Sequence, residues 1–326
     1  LQNKMDRQRC FMISVDTEGD DQWDNQHEIT TENAAFLPRF QELCEAHGLK
    51  PVWLTTYEMA QDPALVDFLA DRQERGRCEV GMHLHAWSTP PEAPLARSTP
   101  AREFLIEYPE EVMEAKIRTM TECLTARFGV RPVSHRSGRW IMDERYFRLL
   151  RRFDYLVDCS VTPLVSWEKT QGATGRGGCD YRGESLLPYF RNDGILEIPV
   201  TIRRLRFLDR ARIRSLHSAL RELRNLATGV AQWLRPFDVY SEQGMLTLLN
   251  NLERSEPDSD LLFTLHSSEL MPGGSPSFPD EASIEALYRE MEQVFSRAER
   301  AGYRGVTMRE YYSMKQRERE SHVQGR

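Results

Sequence analysis

His83 and His85 close the stretch Glu79-Val80-Gly81-Met82-His83-Leu84-His85, an apolar run that then breaks into the loop Trp87-Ser88-Thr89-Pro90-Pro91. Alternate side chains of a β-strand share a face, so the two imidazoles point the same way. Two imidazoles at the mouth of a buried strand supply two thirds of a metal site. The acidic stretch Asp16-Thr17-Glu18-Gly19-Asp20-Asp21 follows another apolar run, Phe11-Met12-Ile13-Ser14-Val15, and offers carboxylates for the remainder. Titratable residues also stand just past three further runs. Arg136 and Arg139 follow Val133-Ser134-His135, Asp158 and Ser160 follow Tyr155-Leu156-Val157, and His266, Ser267 and Glu269 follow Leu261–Leu265. Ligands of parallel α/β folds collect beyond the carboxyl ends of the strands, so this recurrence at five strand ends marks one site. Trp87 and Trp140 lie in loops beside these residues, where their rings can stack on a sugar.

The elements needed to hold such a site are legible as alternation. Apolar residues at helical spacing place helices at 31–47, 63–75, 109–128, 144–153 and 280–301, with Gly48, Gly76 and Gly129 as stops. Between them fall the strand-like runs 11–15, 51–55, 78–82, 133–135, 155–157, 196–201, 261–265 and 303–307. Strands alternating with helices give βα units and a parallel sheet. Seven or eight such strands predict an α/β fold of the distorted (β/α)7-type barrel. It forms a single domain over residues 11–315, between a polar tail at 1–10 without a hydrophobic signal region and a polar tail at 316–326.

Composition narrows the function. The 326 residues carry a net charge of −7, which argues against general affinity for nucleic acid. No run approaches the roughly 18 apolar residues that span a bilayer. The six cysteines form no CxxC pair and read as free thiols of a reducing compartment, hence a cytoplasmic location. Neither a GxGxxG nor a GxxxxGK[ST] motif is present, so dinucleotide and P-loop folds lack support. Two segments interrupt the alternation. Residues 166–189 are Gly-rich, as an ordered functional loop would be. Arg203–Arg224 carries eight arginines against Asp209 and Glu222, and is helical from Ala211 onward. Its basic face is either solvated or turned to an anionic partner such as a sugar nucleotide or lipid diphosphate.

Taken in order, these motifs resemble the polysaccharide deacetylases, the NodB-homology carbohydrate esterases. Ser14-Val15-Asp16-Thr17-Glu18 looks like the family's Thr-Phe-Asp-Asp-Gly, and Glu79-Val80-Gly81-Met82-His83 like the approach to its first histidine. His135-Arg136-Ser137-Gly138-Arg139-Trp140 is similar to the family's arginine, turn and aromatic. Asp158-Cys159-Ser160-Val161-Thr162-Pro163 resembles the fourth motif and Phe263-Thr264-Leu265-His266 the fifth, Leu-x-His. The resemblance runs from about residue 11 to residue 312. The wording around His83 and His266 looks closest to the WbmS-like branch found with O-antigen and other surface-polysaccharide loci. Two places depart from the family: Thr17 stands for its second aspartate, and Trp87 for its second histidine, four residues after the first.

What the resemblance implies is removal of an N-acetyl group from an amino sugar or glycan. Glu18, His83 and His85 would hold a divalent metal, with His85 replacing the missing histidine and Asp16 or Asp20 as alternative carboxylates. Two nitrogens and an oxygen suit zinc best, ahead of Co, Ni, Mn and Fe. Asp16 would be the general base, oriented by Arg136. His266 would be the acid, supported by Asp158, while Trp87, Arg139, Trp140 and Glu269 meet the substrate. The His-x-His spacing also suits an allantoinase-like hydrolase of another C–N amide bond. The absent second aspartate suits a carbohydrate-binding homologue without activity. A two-histidine, one-carboxylate iron oxygenase fits the ligand types but not the βα alternation.

Overall fold

The computed structural model describes residues 8–20, 28–206, 227, 229–236 and 244–324. In chain order the elements are β1 (Cys10–Thr17), α1 (Leu37–Ala46), β2 (Pro51–Thr55), α2 (Pro63–Glu74), β3 (Glu79–Leu84), α3 (Glu110–Phe128), β4 (Ser134–Ser137) and α4 (Glu144–Arg152). Three two-residue strands follow, β5 (Val157–Asp158), β6 (Tyr189–Phe190) and β7 (Leu196–Glu197). Then come β8 (Ile202–Leu205), β9 (Val230–Trp233), α5 (Gly244–Ser255), β10 (Leu261–His266), α6 (Glu281–Arg300), β11 (Arg304–Gly305) and α7 (Met308–Gln324). Helix starts are set locally. Asp62 accepts from Leu65 N ahead of Pro63, and Asp143 accepts from Tyr146 N.

The strands line up as β10-β1-β2-β3-β4-β5-β7, every adjacent pair parallel. β6 adds antiparallel to β7, and β11 pairs with the start of β1. The sheet curls strongly into a distorted half-barrel, which is the architecture expected from the alternation. Its two edges approach at Thr201, whose N–H donates to Leu262 O (3.2 Å) and whose carbonyl accepts from Leu234 N (2.8 Å).

Alternation along the strands divides the interior in two. Phe11, Ile13 and Val15 of β1 pack outward under the helices, as do Val80, Met82 and Leu84 of β3. Met12, Leu54, Val157, Leu196 and Leu262 fill the inside of the curl. Moving along those inward positions, the residues become polar toward the carboxyl ends: Ser14 then Asp16 on β1, Thr264 then His266 on β10. Apolar packing therefore occupies the bottom of the barrel and the chemistry its top. α7 covers the bottom, with Met308 and Tyr311 in the inner cluster and Tyr311 Oη donating to Asp260 Oδ2 at 2.6 Å. The helix continues to Gln324, through residues whose polarity reads as a tail.

Other boundaries differ for local reasons. The run 196–201 is a strand only at Leu196–Glu197; beyond it Ile198 N still donates to Asp158 O (2.8 Å) and Val200 N to Val161 O (3.0 Å), and at Thr201 the chain crosses the seam to Leu262 and Leu234. β8 and β9 form a separate antiparallel pair. The basic helix expected from Ala211 onward lies outside the described residues. At its approach, Arg203 is buried and spends its guanidinium on Glu256 (Nη2–Oε2 2.7 Å), which removes it from any external anion. The Gly-rich loop is pinned by Glu107, which accepts from Ala173 N (3.0 Å) and Thr174 N (2.7 Å). All six cysteines are free. Among the described residues no helix is long and apolar enough to cross a membrane.

Candidate active site

His83 and His85 meet on the inner face of β3, as period-two alternation demands, with their Nε2 atoms 3.0 Å apart. Glu18 Oε2 lies 3.6 Å from His83 Nε2 and 3.3 Å from His85 Nε2. The ligand atoms of all three residues fall within 4.8 Å of one another, and all three residues are buried. Glu18 gets there because β1 ends one residue earlier. Thr17 faces outward and bonds Val15 O (3.1 Å), while the chain turns and brings Glu18 in. Ser267 grips that turn, accepting from Glu18 N (3.1 Å) and donating to Glu18 O (3.0 Å). The departure from adjacent aspartates is thus met by a longer side chain one position on. Asp20 is engaged elsewhere, accepting from the backbone N–H of Asn33 (3.1 Å) and from Thr30 Oγ1 (2.8 Å), so it is a loop anchor and no ligand candidate.

The donor set suits a divalent cation. His83 Nδ1–H donates to Arg136 O (3.0 Å), which leaves the Nε2 lone pair facing Glu18 and His85. Neither tautomer of His85 then satisfies both ring nitrogens: its buried Nδ1 has no hydrogen-bond partner among the described residues, and its Nε2 confronts that of His83. A cation between the two Nε2 atoms and the carboxylate would take both Nε2 lone pairs, leaving the His85 hydrogen on Nδ1. Burial pushes the Glu18 carboxyl up, but His266, His83 and His85 outweigh it and hold Glu18 well below the ordinary range. Burial, then the neighbouring His83, pushes His85 down, toward the neutral form that a metal requires. Burial also lowers His83, but Asp16 and Glu18 outweigh it and push His83 up, so a cation would have to displace a proton from His83 Nε2.

Beside the triad, Arg136 crosses the inside of the curl with no solvent access. It donates to Asp16 Oδ1 (2.5 Å), Ser14 Oγ (2.7 Å), Thr264 Oγ1 (2.9 Å) and Cys159 O (3.1 Å). Burial raises Asp16, yet Arg136, aided by His83 and His266, outweighs it and keeps Asp16 ionised. His266 Nε2 stands 3.7 Å from Asp16 and 3.8 Å from Glu18. Its Nδ1 lies 2.5 Å from Arg235 Nη2. A guanidinium only donates, so Nδ1 accepts and the ring hydrogen of the neutral form sits on Nε2, toward the carboxylates.

A cavity of about 320 Å³ opens above these groups. Its floor is Asp16, Glu18, His83, His85 and His266, and its rim includes Trp87, Arg102, Ser137, Arg139 and Trp140. Trp87 stacks on His85 (centroids 4.2 Å apart, 26° between planes). Trp140 lies 4.7 Å from the Arg136 guanidinium. Arg139 and Trp140 are consecutive non-glycine residues at positive φ, 59° and 67°. Strain of about 1–3 kcal/mol each is the usual cost of that conformation, and it concentrates at functional sites. Gly138 lets this turn touch the triad, since a Cβ there would lie 2.6 Å from His85 Cδ2 and 2.7 Å from Leu84 O.

Two expected roles are corrected. Asp158 does not support His266. Its neighbours Val157 and Cys159 point into the curl, so Asp158 points out, under α4, and binds His135 Nδ1 (2.6 Å) and Ser160 Oγ (2.9 Å). Glu269 does not line the cavity. It is buried behind His266, accepting from Arg235 Nη2 (2.7 Å) and His266 N (2.7 Å). Arg235 thereby takes the place expected of Asp158, and no sequence signal marked it, because β9 is not among the strands legible from periodicity. Asp16, Glu18, His83, His85, Arg136, Arg139, Trp87, Trp140 and His266 do converge.

No protein-family model and no curated protein matches the chain. Solved structures do. A protein from Mycobacterium smegmatis assigned as a polysaccharide deacetylase is similar over 97% of this chain and 93% of its own, at 15% identity and a TM-score of 0.58. A GH57-type branching enzyme from the archaeon Pyrococcus horikoshii matches 94% of this chain and 70% of its own (11% identity, TM-score 0.53). A 4-alpha-glucanotransferase from Thermococcus litoralis matches 94% of this chain and 40% of its own (14% identity, TM-score 0.50). At such identities the likeness is one of fold: this chain is built on the polysaccharide-deacetylase barrel, an architecture the branching enzyme and the glucanotransferase share.

Proposed function

We propose that this chain is a metal-dependent hydrolase that removes the acetyl group from an N-acetylated amino sugar, acting in the cytoplasm during O-antigen-type surface-polysaccharide assembly. Its resemblance to the WbmS-like branch supports that setting. The observation that carries the chemistry is the buried Glu18–His83–His85 triad facing the Asp16–Arg136 pair across one cavity. The fold is shared with glucan-rearranging enzymes, and the donor set separates the two. Glycoside chemistry works with two carboxylates flanking the scissile bond. Here one carboxylate is locked to a buried arginine and the other faces two imidazoles.

Glu18, His83 and His85 would hold the ion, with zinc the best match to two nitrogens and one oxygen. When bound, it would polarise the acetamide carbonyl and lower the pKa of water. Asp16, kept ionised by Arg136, takes the proton from the attacking water. His266 gives its Nε2 hydrogen to the leaving nitrogen. Asp16, 3.7 Å away, holds the proton with which the ring is restored. Arg235 and Glu269 fix the ring, and Trp87 and Trp140 flank the sugar. The test is acetate release from a panel of N-acetylated sugars before and after chelation. Chelation should abolish it and zinc restore it. Release unchanged by chelation would overturn the metal mechanism.

A further inference from the structure

α3 packs on β3 and buries Met113, Ile117, Met120 and Leu124 along one face. Lys116 stands on that same face, where helical spacing calls for another apolar residue, and is only 2% exposed. A buried ammonium is costly unless polar groups take its hydrogens. Here two backbone carbonyls do: Nζ donates to Thr89 O (2.5 Å) and to Pro91 O (2.8 Å), with the Tyr108 ring centroid 5.4 Å away. Burial pushes Lys116 below its ordinary value, against the pull of Glu103 and Glu92. A methionine would span the same length among Met113, Ile117 and Met120 without that cost. It could not hold the two carbonyls.

Both carbonyls belong to the loop that leaves β3 beyond His85. Pro90 and Pro91 have no N–H, so this loop has few donors of its own. Its first turn is closed by Thr89 N, which donates to His85 O (3.1 Å). Trp87 sits at the middle of that turn, lines the cavity and stacks on His85. Lys116 thus grips the residue that closes the turn, and ties it to a helix of the outer layer. A ring that meets substrate from a loop binds best when held in place beforehand, because ordering it on binding costs affinity. We propose that Lys116 is a positioning residue, which fixes the turn carrying Trp87 and so presets the face on which the sugar stacks. This rests on the acetamido-sugar reading of the site.

Fluorine NMR of the full chain labelled with 5-fluorotryptophan tests the tie without substrate. Comparison with Trp87→Phe assigns the Trp87 signal, which in Lys116→Met should move toward the position of a solvent-exposed ring. An unmoved signal overturns the proposal. With N-acetylglucosamine as substrate, Lys116→Met should raise KM roughly tenfold and change kcat less than about twofold, since stacking is binding shared by ground and transition states. Trp87→Ala should raise KM likewise, and adding Lys116→Met to it should raise KM no further. Additive losses in the double variant, or a lower Tm with KM unchanged, reduce Lys116 to a structural residue and overturn the proposal. A melting curve accompanies Lys116→Met, and Lys116→Gln carries the same tests if that variant is unfolded. A moved Trp87 signal in a chain that releases no acetate from any acetamido sugar would sink the deacetylase reading and leave the tie between Lys116 and Trp87 standing.

Discussion

Arg136 is fully buried, so its charge is offset chiefly by Asp16 and by the hydroxyl and carbonyl oxygens around it. Removing one partner of such a buried pair typically costs about 3–5 kcal/mol, because the other charge is stranded. Asp16→Asn should therefore lower both stability and turnover, the latter by roughly 10²–10⁴-fold if Asp16 is the base. Asp16→Asn combined with Arg136→Met should regain stability without regaining activity. Urea midpoints and acetate release on the three proteins decide it, and recovered activity in the double variant would remove Asp16 from the chemistry. The buried carboxylates also set the pH profile. Asp16 and Asp158 are held below the usual range by Arg136 and His135 against the opposing effect of burial. Their stabilisation is complete above the unfolded value of about 4 and is lost as pH falls through the lower folded values. Glu197 has the opposite sign. Burial, then the charge of Asp158 opposite it in β5, pushes it well up. The folded chain keeps a proton there that the unfolded chain releases, so stability declines as pH rises above about 4.3 toward the folded value. Glu197→Gln should raise the melting temperature at neutral pH and flatten its decline; an identical slope in both proteins would refute this.

At the scale of elements, the site depends on β4 approaching β3 with no side chain between them at Gly138. Gly138→Ala must displace either the turn or His85. A loss of metal affinity of about 10–100-fold is expected, the usual size for a disturbed ligand support, with little change in helix content. Isothermal titration with zinc measures it, and unaltered affinity would mean the turn yields instead. The same elements explain what was legible in advance. β1, β2, β3 and β10 are long enough to show both alternation and an end, so Asp16, His83, His85 and His266 could be assigned to one face. β5 has two residues, too few to reveal parity, and the direction of Asp158 is a parity question. α5 was missed for a different reason. Its Met245, Leu248, Leu249 and Leu252 recur at helical spacing, so the signal was present and unused. Arg235 and Arg102 had no signal, being brought to the site by a separate strand pair and by a loop.

For the molecule as a whole, three ligands from two different strand ends, β1 and β3, would be tied together by one ion. Metal that binds only the folded state should raise its stability by about 2.7 kcal/mol at a hundredfold excess over Kd. Differential scanning fluorimetry with and without chelator, at fixed zinc, reads that shift, and Glu18→Gln should remove most of it. No shift under any divalent metal would favour the sugar-binding homologue without activity.

The contact of Trp87 with His85 has a practical consequence. A stacked imidazole quenches indole emission more strongly when it is protonated than when it is neutral, so the charge or coordination of His85 should alter the emission of Trp87. The protein would then carry its own optical gauge of the triad, readable as the emission difference between the parent chain and Trp87→Phe while zinc is added. With it, occupancy could be followed in real time and without substrate.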